Sequence, residues 1–224
     1  MKGKLIVIEG TDGSGKATQS KLLVEKLKKE NYNVEYVEFP QYGNPSSVMV
    51  EQYLNGKFGT AEEVGPYRAS IFYAIDRYAK SNELKSWLDQ GKIIICNRYT
   101  SANKGHQAGK LPKDQIDNFL KWLDNLEYEI FQIPKPDKII MLHMPCEIGQ
   151  KLVDKKGHRD YVGGSKKDIH EADINHLKNA EKAYLYVAKK ESWDIIKCNN
   201  GDNPLTIDQI HDKVYPLIKD IIKK

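Results

Sequence analysis

Short apolar runs alternate with longer amphipathic stretches from one end of the chain to the other. Runs such as Leu5-Ile6-Val7-Ile8 and Ile93-Ile94-Ile95 are apolar throughout, the mark of strands buried on both faces of a parallel sheet. Strands are predicted over 4–9, 34–39, 92–97, 138–144 and 193–198. Helical spacing fills the intervals at about 15–30, 45–56, 62–90, 113–127, 147–156 and 168–191. A last helix over about 205–222 sets Ile207, Ile210, Val214, Leu217, Ile218 and Ile221 on one face, with Pro216 predicting a kink or a new turn. This alternation predicts an α/β fold, a doubly wound five-stranded parallel sheet flanked by helices, with ligands beyond the carboxyl ends of the strands. No linker or low-complexity stretch divides the 224 residues, so one domain over 1–224 is expected.

Composition narrows the partners. The 35 basic and 31 acidic residues leave a net charge of +4, with no long basic run of the kind that binds a nucleic-acid polymer. The apolar runs are too short to cross a membrane, and Lys2 and Lys4 lead straight into a strand rather than a signal peptide. Cys96, Cys146 and Cys198 form neither a disulfide framework nor a metal-binding spacing. Buried thiols in a reducing, cytoplasmic setting are the reading.

The densest chemistry follows the first strand. Gly10-Thr11-Asp12-Gly13-Ser14-Gly15-Lys16 connects that strand to a helix, the context a P-loop requires. Its glycines let backbone N–H groups gather an anion, the helix N-terminus adds partial positive charge, and Lys16 can reach the β- and γ-phosphates of a nucleotide. The position after the lysine, where a hydroxyl would hold Mg²⁺, is Ala17. Thr18 is rotated about 100° further round the helix and cannot simply replace it.

Other clusters lie just past strand ends. Phe39-Pro40-Gln41-Tyr42 ends the second strand, where proline stops a strand whether or not a ligand is near. In Ile71-Phe72-Tyr73-Ala74-Ile75-Asp76-Arg77, Tyr73 and Arg77 share a helical face. They could stack a base and bond it, or pack as a core tyrosine beside a surface salt bridge. Asn97-Arg98-Tyr99, then Asn103, His106 and Gln107, follow the third strand. Arg98 can grip a phosphate bidentately. His106 alone reads more readily as structural than catalytic. No nucleophilic triad is present or needed, since phosphoryl transfer asks for positioning and charge neutralisation.

Residues 155–167 interleave Lys155, Lys156, Arg159, Lys166 and Lys167 with glycines, as in a flexible lid over phosphates or an ordinary solvated loop. The P-loop has no arginine of its own, which makes Arg159 the natural charge donor. Asp168 and Glu171 share a helical face, where they could hold Mg²⁺ or a sugar hydroxyl, or cap the helix.

In this order the motifs resemble the thymidylate kinase family. The markers are Glu9-Gly10-Thr11-Asp12-Gly13-Ser14-Gly15-Lys16, Phe39-Pro40, Phe72-Tyr73 through Asp76-Arg77, Arg98-Tyr99, Lys135-Pro136-Asp137, and the lid followed by Asp168 and Glu171. They span about residues 1–190. The resemblance implies a P-loop NTPase-like fold, transfer of the γ-phosphoryl of ATP to dTMP with Mg²⁺, and a homodimer built through packed helices. It implies that Gly10 through Thr18 hold ATP, with Lys16, Arg98 and Arg159 catalytic. It further implies that Asp12 meets the deoxyribose 3′-hydroxyl, Tyr73 stacks on thymine, Arg77 reads the base and Arg98 clamps the acceptor phosphate. Phe39, Pro40, Tyr42, Asn103, His106, Gln107 and Asp168 complete the implied dTMP contacts. The basic lid resembles the bacterial-type version.

Two positions depart from the family pattern: Ala17 lacks the hydroxyl, and Asn97 stands where the family has aspartate. Either the metal is then held on Glu9, Asp12, Asp168 or Glu171 through water, with Glu9, Asp12 and Glu171 the candidates taken forward, or catalysis is weakened. The alternative functions are a nucleotide-binding protein with weak turnover, and a nucleoside kinase, against which Arg98 argues.

Overall fold

The computed structural model describes residues 2–154 and 174–223. Five strands, β1 (Lys4–Gly10), β2 (Val34–Glu38), β3 (Ile93–Asn97), β4 (Lys138–His143) and β5 (Asp194–Lys197), form one parallel sheet in the order β2-β3-β1-β4-β5. The central strand, β1, is almost wholly buried, which is why its sequence carries no polar alternation.

Successive β1 side chains serve opposite layers. Ile6 and Ile8 pack with Leu23 and Leu27 of α1 (Lys16–Lys29) and with Val214 and Ile218 of α8 (Ile207–Ile222). Leu5 and Val7 pack with Leu84 and Leu88 of α3 (Ala61–Asp89). Truncating Ile8, which is fully buried, to alanine would cost about 2–5 kcal/mol. A third cluster joins α5 (Lys113–Asp124) to α7 (Ile174–Lys190) through Phe119, Leu120, Tyr184 and Val187. Short helices α2 (Val48–Leu54), α4 (Thr100–His106) and α6 (Cys146–Asp154) fill the connections, and α4 is an element the hydrophobic pattern does not announce.

Two other local differences have plain causes. The helix read as continuous from 62 breaks at Gly65, whose φ of 74° lies outside the helical region, and restarts at Pro66. Arg68 donates to the carbonyls of Glu63 and Val64 that the break exposes. Residues 199–204, read as a connection, form a small antiparallel hairpin of Asn199–Asn200 with Asn203–Pro204. Pro216 sits inside the single span of α8. All three cysteines are free and buried. No helix among the described residues is long and apolar enough to cross a membrane.

Candidate active site

β1 lies at the centre of the strand order, and the chain crosses to opposite sides of it, so the crevice a doubly wound sheet reserves for ligands falls at its carboxyl end. The glycine-rich loop occupies that place. It packs tightly on the start of α6: a Cβ built on Gly13 would lie 2.3 Å from the Gly149 carbonyl oxygen, so glycine is obligatory there. α1 starts with no side-chain cap and no acidic residue in its first turn. Its first N–H groups therefore have no side-chain acceptor, and the positive end of the helix faces the loop. Ser14 Oγ is buried without a partner among the described residues. Lys16, 8 % exposed, donates to the carbonyl oxygens of Gly10 (3.0 Å) and Thr11 (2.9 Å) and lies 3.8 Å from the Asp12 carboxylate.

Beside the loop opens a cavity of about 420 Å³. Asp12, Gly13, Gly15, Lys16 and Ala17 form its floor, with Phe39, Pro40, Tyr42, Tyr73, Arg77, Arg98, Asn103, His106 and Gln107 around it. Motifs scattered over nearly a hundred residues thus converge on one space. Gly10, Thr11, Ser14 and Thr18 belong to the loop or the first turn of α1 but do not line it, and Glu9 lies fully buried beneath. Arg159, Asp168, Glu171 and the proposed lid at 155–167 lie outside the described residues.

Arg98 is the most constrained group in the cavity. Its backbone holds φ at 64°, a left-handed conformation that costs a residue with a Cβ roughly 1 kcal/mol or more. Its guanidinium bonds the Asp12 carboxylate, meets His106 Nε2 at 3.1 Å and lies 3.7 Å from Glu9. Burial works against its charge, but Asp12, with Tyr184 and Glu9 behind it, more than offsets that and keeps the group firmly protonated. Burial also pushes His106 well below the ordinary histidine range, assisted by Arg98 and against the pull of Asp12. The ring is neutral, and because an arginine nitrogen only donates, Nε2 must accept.

Arg77 sits differently. Its guanidinium is 1 % exposed and bonds both oxygens of Glu127 and the Tyr99 carbonyl. Burial opposes its charge, and the Glu127 carboxylate outweighs burial. The salt bridge expected at the surface for Arg77 exists but is wholly interior, because its carboxylate partner is itself buried and comes from the segment before β4. Glu127 lies in a π-helical stretch, Asn125–Ile130, between α5 and β4, and the sequence pattern does not single it out.

Other residues hold the walls, in roles that the motifs do not announce. Asp76 accepts from the Gln41 backbone N–H (2.8 Å) and the Ser46 hydroxyl (2.6 Å), pinning the loop after Phe39-Pro40. Tyr184 and Ser101 donate to Glu9, and the Gly10 N–H takes the same Glu9 oxygen as Tyr184. Both oxygens of Glu9 are thereby engaged in holding the loop. On the far wall, Tyr73 packs edge-on against Tyr53 at 6.3 Å. Asn103 Nδ2 reaches the Ser70 carbonyl, and Gln107 Oε1 is buried without a partner among the described residues.

Comparison with known proteins follows the same lines. A family model for thymidylate kinase matches residues 8–213. A thymidylate kinase of Plasmodium falciparum is 28% identical, with 99% of this chain and 91% of that protein covered. One from Caldicellulosiruptor saccharolyticus is also 28% identical, with both chains covered completely. The solved structure of a Candida albicans thymidylate kinase superposes with a TM-score of 0.73 at 24% identity, over 98% of this chain and 92% of that one, a likeness of fold.

Proposed function

The chain belongs to the thymidylate kinase family, and we propose on that footing that it moves the γ-phosphoryl group of ATP to the phosphate of thymidylate, giving dTDP and ADP. The observation that carries the reading is the placing of two cations on one cavity. Lys16 stands in the loop that would hold the donor phosphates, and Arg98 faces it across Asp12. A phosphate acceptor needs a second anion clamp, which a sugar hydroxyl does not, and Arg98 is that clamp. An incoming phosphate would exchange for Asp12 on the guanidinium and free that carboxylate for the 3′-hydroxyl.

The base would lie against Tyr73, within reach of the unpartnered acceptor at Gln107 and the wall that Arg77 helps form. His106, neutral and accepting from Arg98, orients the clamp without adding charge. Arg159, outside the described residues, is the cation the sequence offers to complete the charge balance. Mg²⁺ bound with ATP would supply positive charge against the negative charge that develops on the transferring group. The residues present fit such an ion: Asn97, whose amide oxygen is buried and unpartnered among the described residues, lines the cavity together with the carboxylates of Asp12 and Glu38.

A homodimer in the cytoplasm is the expected working form. It is supported by exposed Tyr67, Ile71, Ile75 and Tyr78, which run along one face of α3. Paired Ile71→Glu and Ile75→Glu substitutions should halve the mass measured by light scattering.

The deciding experiment is ADP release across the nucleoside monophosphates and thymidine, with and without Mg²⁺. Thymidylate should be preferred. Preference for AMP, or equal use of thymidine, would overturn the reading. Binding of both nucleotides with no ADP formed at saturating Mg²⁺ would favour the non-turnover alternative that Ala17 and Asn97 raise.

A further inference from the structure

Two adjacent strand ends carry an oxygen pair of which only one member, Asn97, belongs to a motif. The parallel register of β2 and β3 sets Glu38 directly opposite Asn97. Asn97 Nδ2 donates to Glu38 Oε2 at 3.3 Å, and the Tyr36 hydroxyl donates to the same oxygen at 2.5 Å. The amide is therefore turned with its nitrogen toward Glu38, which leaves Asn97 Oδ1 buried and without a partner among the described residues. Such an orphaned acceptor calls for a cation or an ordered water. No lysine or arginine pairs with Glu38 among the described residues. Both residues line the cavity that Lys16, Gly13, Gly15 and Ala17 also line.

We propose that Glu38 and Asn97 form the protein's oxygen site for the divalent cation that accompanies the donor nucleotide. The proposal deepens the phosphoryl-transfer reading and rests on it. Mg²⁺ keeps most of its waters and needs only one or two protein oxygens beside the phosphates, so a carboxylate and an amide carbonyl suffice. The other carboxylates have other work: Glu9 is held by Gly10, Ser101 and Tyr184, and Asp12 pairs with Arg98 beside Lys16 and, once a phosphate replaces it there, is taken by the sugar hydroxyl. Asn97 lacks a negative charge that Glu38 supplies one strand over. This explains how the site keeps its charge without aspartate at 97 or a hydroxyl at 17.

The test is Mn²⁺ binding to the ADP-loaded protein, read by electron paramagnetic resonance, which needs no acceptor and no turnover. Glu38→Gln should weaken Mn²⁺ binding by about tenfold or more, while ADP binding without metal, read by calorimetry, stays within about twofold. Adding Asn97→Asp to Glu38→Gln should recover most of the loss. Unchanged Mn²⁺ affinity in Glu38→Gln, or an equal loss of metal-free ADP binding, would overturn the assignment. Either result is independent of which monophosphate is the acceptor, so failure here and failure of the thymidylate reading are separable.

Discussion

Two arginine–carboxylate pairs, one lining the cavity and one reaching behind its wall, are alike in chemistry and differ in almost everything else. Arg77 and Glu127 are 1 % and 0 % exposed, and every oxygen of the carboxylate is taken by its partner. Arg98 and Asp12 are 21 % and 19 % exposed, and Arg98 divides itself among Asp12, Glu9 and His106 from a strained backbone. A closed, dry pair has no partner to exchange. It holds α3 against the segment before β4 and so fixes the wall on which Tyr73 stands. An open pair with several partial partners can trade one for a phosphate at small cost. On the proposed reading, burial separates an arginine free to exchange its partner for a ligand from one held by the fold.

The largest expected effect tests the closed pair. Glu127→Leu would strand a buried guanidinium and should cost about 3–5 kcal/mol of stability by chemical denaturation. Replacing both partners, Arg77→Met with Glu127→Leu, should recover most of that loss, because no charge is then left uncompensated. If the single variant is as stable as the wild type, Arg77 is not held as described, and its role in reading the base gains weight.

Arg98→Lys probes the open pair. Lysine can adopt the same backbone and keeps the charge, but it loses the fork that grips two phosphate oxygens at once. Turnover efficiency with thymidylate should fall about 10²-fold, and stability should move by less than about 1 kcal/mol. A small kinetic effect together with a large loss of stability would reverse the roles of the two pairs. Lys16→Ala, on the donor side, should lower kcat by about 10²-fold or more at unchanged stability.

The contrast also marks what could be read from the chain. The five strands and the phosphate loop are local signals: apolar runs of fixed length, and glycines whose spacing sets a turn. Arg98 and Lys16 stand out because each follows a strand end. Glu127 does not, since nothing near it in sequence distinguishes it from any helical glutamate, and its partner lies 50 residues away. Asp76 belongs to a recognisable cluster, yet its work on the Gln41 loop depends on a contact across 35 residues. Glu38 looks like the polar end of a strand until the register brings it beside Asn97. Gly65-Pro66 is the exception, a local break signal set within an otherwise strongly helical span.

The smallest effect concerns the hinge between the two pairs' behaviours, His106, which faces Arg98, Asp12, Lys16, His176 and Tyr184. Its folded value lies well below 6.5 because of burial, so below that pH the unfolded chain binds a proton that the folded chain refuses. Stability must then fall as pH drops through 6.5 toward the folded value, at up to about 1.4 kcal/mol per pH unit for one proton. His106→Gln removes this contribution while keeping an acceptor for Arg98. The gap between wild type and variant should therefore shift against the wild type by about 1 kcal/mol between pH 7.5 and 5.5, measured by urea unfolding. Parallel pH curves would mean that the folded and unfolded chains take up this proton equally, so that His106 is charged in the folded site at pH 5.5. Arg98 would then face a cation, and the account of an open, exchangeable clamp would have to be rebuilt around that repulsion.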